Sequence, residues 1–166
     1  IEDGNDILKV MRDIIASLKG KPVYGCLTYI CLKGHFSISD TFDEEMVTKI
    51  GIQIKRASFD DKELKKFVQN EENGRYAFWT PFIYICTFHA LYRENKDVIM
   101  NHCNFNAIFQ LVRPKAMGKK LSYIEVPADD GCIKLLQERI NKDTQRDNLL
   151  ERYKNHPLLE KMTATN

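Results

Sequence analysis

Five cysteines and four histidines are the residues of this chain with the widest chemical repertoire. The thiols stand at Cys26, Cys31, Cys86, Cys103 and Cys132. A metal site needs several such ligands converging at short range. Cys31 and His35 are four apart and would share a face of a regular strand, whereas Cys26 and Cys31, and likewise Cys86 and His89, have odd offsets that turn them to opposite faces. His102-Cys103 is an isolated pair, and neither CxxC nor HxxxH spacing occurs. The expectation is therefore no metal and no cofactor, with the cysteines acting as small hydrophobes.

Nucleophilic catalysis needs a thiol or hydroxyl beside a base that is itself oriented. His102-Cys103-Asn104 brings together residue types found in cysteine proteases, but neighbouring side chains on one segment seldom address each other as nucleophile and base. No serine or cysteine has the sharp glycine-flanked turn that presents a nucleophile in hydrolases. The acidic segment Asp40, Asp43, Glu44 and Glu45 lacks the ligand pattern of a calcium loop and reads as a solvated helix start or turn. Phosphate-cradling GxGxxG and GxxxxGK[ST] loops are missing. A cysteine or histidine enzyme, using Cys103 or His102, or Cys31 with His35, is the third reading. Two binding readings stand ahead of it.

The binding readings rest on charge and aromatics. Arg113, Lys115, Lys119 and Lys120 place four cations in eight residues with no acid between them, around Met117. Read as a hairpin turn, this tip suits an anionic partner, either nucleic-acid phosphates or the headgroups of a membrane surface. Its plain alternative is a polar turn that blocks edge pairing. The segment from Arg75 to Arg93 carries Tyr76, Phe78, Phe82, Tyr84, Phe88 and Tyr92 on one parity and Trp79, Ile83, Ile85 and Leu91 on the other. Bases could stack on one such face. Two apolar faces fit better with a covered sheet or with a protein interface built on Tyr76, Phe78, Trp79, Phe82 and Tyr84.

The elements that would position these residues follow from periodicity. Ile7, Val10, Met11, Ile14, Ile15 and Leu18 fall on one helical stripe behind an Asn5 cap. Val23 to Leu32 is nearly all apolar and reads as a buried strand, resumed past a glycine bulge by Phe36 and Ile38. Ile50, Ile52 and Ile54 alternate with Gly51, Gln53 and Lys55, as in a strand with one wet face. Asp60 and Glu63 predict a capping box for a middle helix carrying Leu64, Phe67 and Val68. Asn73-Gly74 is a turn, and Pro81 marks a bend or join in the long aromatic strand. Phe105 to Val112 and Leu121 to Val126 read as a hairpin. Ile133, Leu136 and Ile140, then Leu149, Leu150 and Tyr153, form a C-terminal helical segment.

The resulting fold class is α+β: a mostly antiparallel sheet of about five strands packed with an N-terminal, a middle and a C-terminal helical element. Residues 1–155 are expected as one domain and 156–166 as an exposed C-terminal tail. The 166 residues, 43% hydrophobic and 29% charged, suffice for a core without staples. A formal net charge of +2 supplies no bulk attraction for nucleic acid or membrane. An odd cysteine count, with three of the five in apolar runs, fits a reducing intracellular setting, cytoplasmic or nuclear. The longest uncharged run, Ala77 to Tyr92, is shorter than the ~20 residues of a membrane span. The function expected is a non-catalytic protein-interaction or assembly domain, with self-association as one mode and weak contact with nucleic acid or an anionic membrane as a secondary one. A small matrix-like viral assembly protein is one concrete version. An RNA or single-stranded nucleic-acid binding module is the alternative.

Overall fold

The computed structural model describes residues 2–117 and 120–164, with side chains from 5 to 117 and from 120 to 163. Helix and strand are mixed, as expected, but the sheets have three and two strands rather than five. The chain gathers into two compact units, Ile1–Asn95 and Lys96–Asn166. The reading of residues 1–155 as one domain does not contain this division.

In the first unit the order is α1 (Glu2–Ala16), α2 (Pro22–Lys33), β1 (Phe36–Ser37), α3 (Glu44–Ile50), two 3₁₀ turns (Arg56–Asp60 and Lys62–Lys66), β2 (Val68–Asn70), β3 (Arg75–Phe78) and α4 (Pro81–Glu94). The strands form an antiparallel sheet in the order β1-β3-β2, with Phe36 opposite Tyr76 and Val68 opposite Phe78. Gly74, at φ +82°, makes the hairpin turn that Asn73-Gly74 announces.

Three expected strands do not form as such: one is a helix, one is a helix end and loop, and one turns helical part-way along. Val23 to Leu32 lies within α2, which starts with Pro22 in its first turn and buries nine residues. An apolar run without periodicity fits a helix buried all round as well as a central strand, and here the proline start selects the helix. Thr28 donates its hydroxyl to the Tyr24 carbonyl at 2.8 Å, so its polar group costs the core little. The alternation at Ile50, Ile52 and Ile54 is accidental. Asp43 caps α3 by accepting from the Met46 N–H at 3.0 Å, the helix ends at Gly51 (φ +76°), and only Ile54 of the three is buried. The long aromatic segment stops being a strand after Phe78. Thr80 accepts from the Ile83 N–H at 3.2 Å, Pro81 occupies the first turn, and α4 follows with Cys86 to Tyr92 buried. The middle helix is reduced to the 3₁₀ turns, capped by Asp61 rather than Asp60.

The second unit runs α5 (Lys96–His102), α6 (Phe105–Leu111), β4 (Val112–Pro114), β5 (Val126–Ala128), α7 (Asp130–Lys142), α8 (Arg146–Arg152) and α9 (Pro157–Ala164). The expected Phe105–Val112 strand is a helix, because Asn104 caps it through the Ala107 N–H at 3.0 Å and its apolar residues bury at helical spacing. β4 and β5 pair in parallel, Val112 opposite Val126, so these two strands do not form the expected hairpin. The α7 stripe Ile133, Leu136 and Ile140 is buried as expected. The expected exposed tail is α9 instead: Leu158, Leu159 and Met162 give it an apolar face, and all three are buried. Among the described residues no helix is long and apolar enough to cross a membrane.

Gly25 fixes how closely α2 is approached. A Cβ there would collide with Cγ2 of Ile54, a stiff β-branched side chain that is itself buried. Gly25→Ala is expected to destabilise the chain by about 1–3 kcal/mol despite its better helix propensity. Denaturant unfolding checks this. In an Ile54→Ala background the same change should cost less than it does alone.

Candidate functional site

Five aromatic rings cluster inside the first unit. Tyr29 on α2 stacks on Phe42 at 4.9 Å and meets Phe36 and Phe59 edge-on at 5.0 and 5.6 Å. Tyr76 stacks on Phe36 at 5.9 Å and touches Phe59 at 5.4 Å. A groove of about 410 Å³ opens over the outer part of this cluster, floored by Phe36, Phe59 and Tyr76 and rimmed by Ile38, Arg56 and Asp60. Arg56 closes one end by donating to the Ile38 and Asp40 carbonyls. Burial, then the nearby Asp60 carboxylate, raises the Tyr76 hydroxyl pKa.

The expected interface residues separate into two groups. Tyr76 belongs to the core, because its strand position faces Phe36 and the 3₁₀ turn. The other four gather at the β3–α4 junction. Phe78 and Tyr84 lie 5.5 Å apart and half-buried, Phe82 is half-buried, and Trp79 is 52% exposed. Trp79 is held in place: its indole N–H donates to the Lys65 carbonyl at 2.7 Å, and its backbone N–H to the Phe67 carbonyl at 3.0 Å. An indole that keeps half its surface in water while fixed at both ends is a preformed apolar contact.

A second apolar surface was hidden in the α1 stripe. Six residues were expected on one face, but of them only Ile15 is buried, and the inward row includes Leu8, which that stripe left out. Leu8 and Ile15 pack inward, whereas Ile7, Val10 and Ile14 are 56%, 61% and 46% exposed. Their spacing of three and four places them in one row. A stripe too wide for the face of α4 that it meets would have revealed this row in the sequence.

The basic cluster loses its expected geometry. Arg113 is turned inward, paired with Glu125 at 2.9 Å and donating to the Phe109 and Val112 carbonyls at 2.9 and 2.8 Å. Lys115 and Lys120 are exposed, and Lys119 lies outside the described residues. Arg113 therefore serves the fold, and the cation tip shrinks to its lysines.

The candidate chemical pairs are kept apart from solvent or from each other. Cys31 is buried in α2, while His35 is exposed beyond the Gly34 helix stop. Cys103 is buried beside half-buried His102, and Asn104 spends its carbonyl oxygen on the α6 cap. Burial pushes the Cys103 thiol up to about 12 against the opposing pull of Arg139, and the Cys26 thiol up to about 12 with Asp61 adding to the effect. The Cys86 thiol is pushed up to about 11 by burial. Such thiols keep their protons at neutral pH and are poor nucleophiles. Among the described residues, no group of three or more His, Cys, Asp and Glu side chains gathers where a metal ion could be held.

Comparison with known proteins yields no match: no family profile fits the chain, and no curated protein or solved structure resembles it significantly.

All five cysteines are buried and none is disulfide-bonded. In the native protein at pH 7.5, a thiol-specific dye should label them only at the rate of unfolding or local opening, and stoichiometrically in denaturant. A thiol that labels immediately in the folded protein would return Cys103 or Cys31 to consideration as a nucleophile.

Proposed function

We propose that this chain is a non-catalytic protein-interaction domain that binds through the aromatic surface at the β3–α4 junction, with self-association as its first mode. The supporting observation is Trp79: a large, exposed indole, immobilised by its hydrogen bond to Lys65 and flanked by half-buried Phe78, Phe82 and Tyr84. Interfaces draw most of their energy from a few such aromatic anchors, and pre-ordering removes the entropy of fixing one on binding. The exposed α1 row offers additional apolar area on the same unit. Buried thiols with raised pKa favour binding over catalysis, and five reduced cysteines suit an intracellular compartment. A matrix-like assembly role is one concrete form of this reading.

The nucleic-acid alternative retains Lys115, Lys120 and exposed Tyr123, but Arg113 is committed to Glu125 and the aromatic cluster is largely interior. Neutralising Lys115, Lys119 and Lys120 together separates the two: loss of salt-dependent RNA binding supports the alternative.

Trp79 is the only tryptophan in the chain, so its fluorescence reports on this surface directly. With rising concentration its emission should shift to shorter wavelength as light scattering records a larger mass. Trp79→Ala should weaken association by tenfold or more, about 1.4 kcal/mol or above. A strict monomer whose emission never changes would sink self-association through this face.

A further inference from the structure

His156 sits where the second unit joins its last helix, and every polar atom of its ring is committed. Nδ1 accepts from the Leu158 N–H at 3.1 Å, which makes His156 the side-chain cap of α9. An Nδ1 that accepts is unprotonated, so Nε2 carries the hydrogen and donates it to the Phe109 carbonyl, 2.5 Å away at the end of α6. The ring stands edge-on to Phe109 at 4.9 Å and to Tyr153, the residue that ends α8, at 6.4 Å. One neutral imidazole thus ties α9 to α6 and α8. We propose that His156 is an acid-operated latch: neutral, it fastens α9 to the second unit; protonated, it releases the helix and uncovers the apolar surface beneath.

The geometry gives the direction. A proton on Nδ1 removes the acceptor for the Leu158 N–H and sets two donors face to face. It also creates a cation beside the Arg113 guanidinium, whose Nη1 is 3.2 Å from Nε2. Glu125, paired with Arg113, and Glu160 on α9 are the anions that favour the charged ring; the Tyr153 ring is neutral. Burial comes first among the effects and lowers the His156 pKa, opposed by the Phe109 bond and the two glutamates and assisted by Arg113. A histidine with a lowered docked pKa binds its proton more tightly when released. Docking is therefore complete above the free value of about 6.5 and weakens as pH falls below it, by up to about tenfold per pH unit until the docked pKa is reached. What release exposes is substantial: Leu158, Leu159 and Met162, together with the partly open cleft of about 300 Å³ that Leu159 and Met162 share with Ile140 and Leu150.

Amide hydrogen exchange on the full chain between pH 7.5 and 5.5, corrected for the intrinsic rate, tests the latch. Protection of the α9 amides should fall by about threefold to tenfold while the α7 amides keep theirs. His156→Gln, whose amide can accept and donate in the same places, should hold α9 docked at both pH values. Glu160→Gln, an exposed substitution that removes an anion favouring the charged ring in the docked state, should deepen the loss of α9 protection at pH 5.5. The proposal fails if α9 protection is indifferent to pH, if α7 opens with it, if His156→Gln releases α9 on acidification like the wild type, or if Glu160→Gln leaves α9 protection at pH 5.5 at or above the wild-type level.

Discussion

Tyr29 is the interaction on which the first unit depends. Its ring is fully buried and meets Phe36 of β1, Phe42 of the following loop and Phe59 of the first 3₁₀ turn. Its hydroxyl accepts from the Asp43 N–H at 2.9 Å, one residue before α3. Asp43 then caps α3 and pairs with Lys33 at the end of α2 at 2.6 Å. One side chain therefore fixes four segments that have little regular structure of their own. Strands of two to four residues and a pair of 3₁₀ turns cannot hold a sheet together by their backbone bonds, so aromatic packing must supply the order.

The surface available for binding follows from that arrangement. Because the aromatic side chains of α2, β1 and the 3₁₀ turns close on one another, Tyr76 is drawn inward and the junction residues are left at the boundary. Trp79 is held outward by a backbone carbonyl of the 3₁₀ turn. The second unit is organised differently, around charge placed inside. Arg139 lies over Phe105 at 4.1 Å and donates to the Met100 and Cys103 carbonyls at 3.2 and 2.6 Å, closing the end of α5. Arg113 does similar work beside β4. Two arginines thus satisfy carbonyls that short helices leave unpaired.

What was legible in the sequence was what local chemistry decides. The Asn73-Gly74 turn, the α7 stripe and the helical resumption at Leu149 are all present, because each depends on residues close together in the chain. Three of the errors share one cause. Val23 to Leu32, Phe82 to Tyr92 and Phe105 to Val112 are dense in β-branched and aromatic residues, and an apolar run without a polar face carries no period to read. The signals that decide them are single residues: Pro22 and Pro81 in first turns, Thr80 and Asn104 as caps. Of the candidate site, the Trp79 cluster was visible as composition, and Lys115 and Lys120 as charge. Arg113 could not be placed, since its partner Glu125 is reached only through the parallel pairing of β4 with β5. The exposed α1 row and the role of His156 both depend on packing between elements, which sequence spacing does not encode.

The strands that did form are two to four residues long, too brief for their edges to template another chain. The segment best suited to cross-β stacking, Val23 to Leu32, is uncharged and locked in α2 with its side chains facing inward on every side. The protein has therefore stored an aggregation-prone stretch in a helix buried on nearly every side. Each residue that clamps α2, Tyr29 among them, therefore acts also as a guard against cross-β pairing of this stretch.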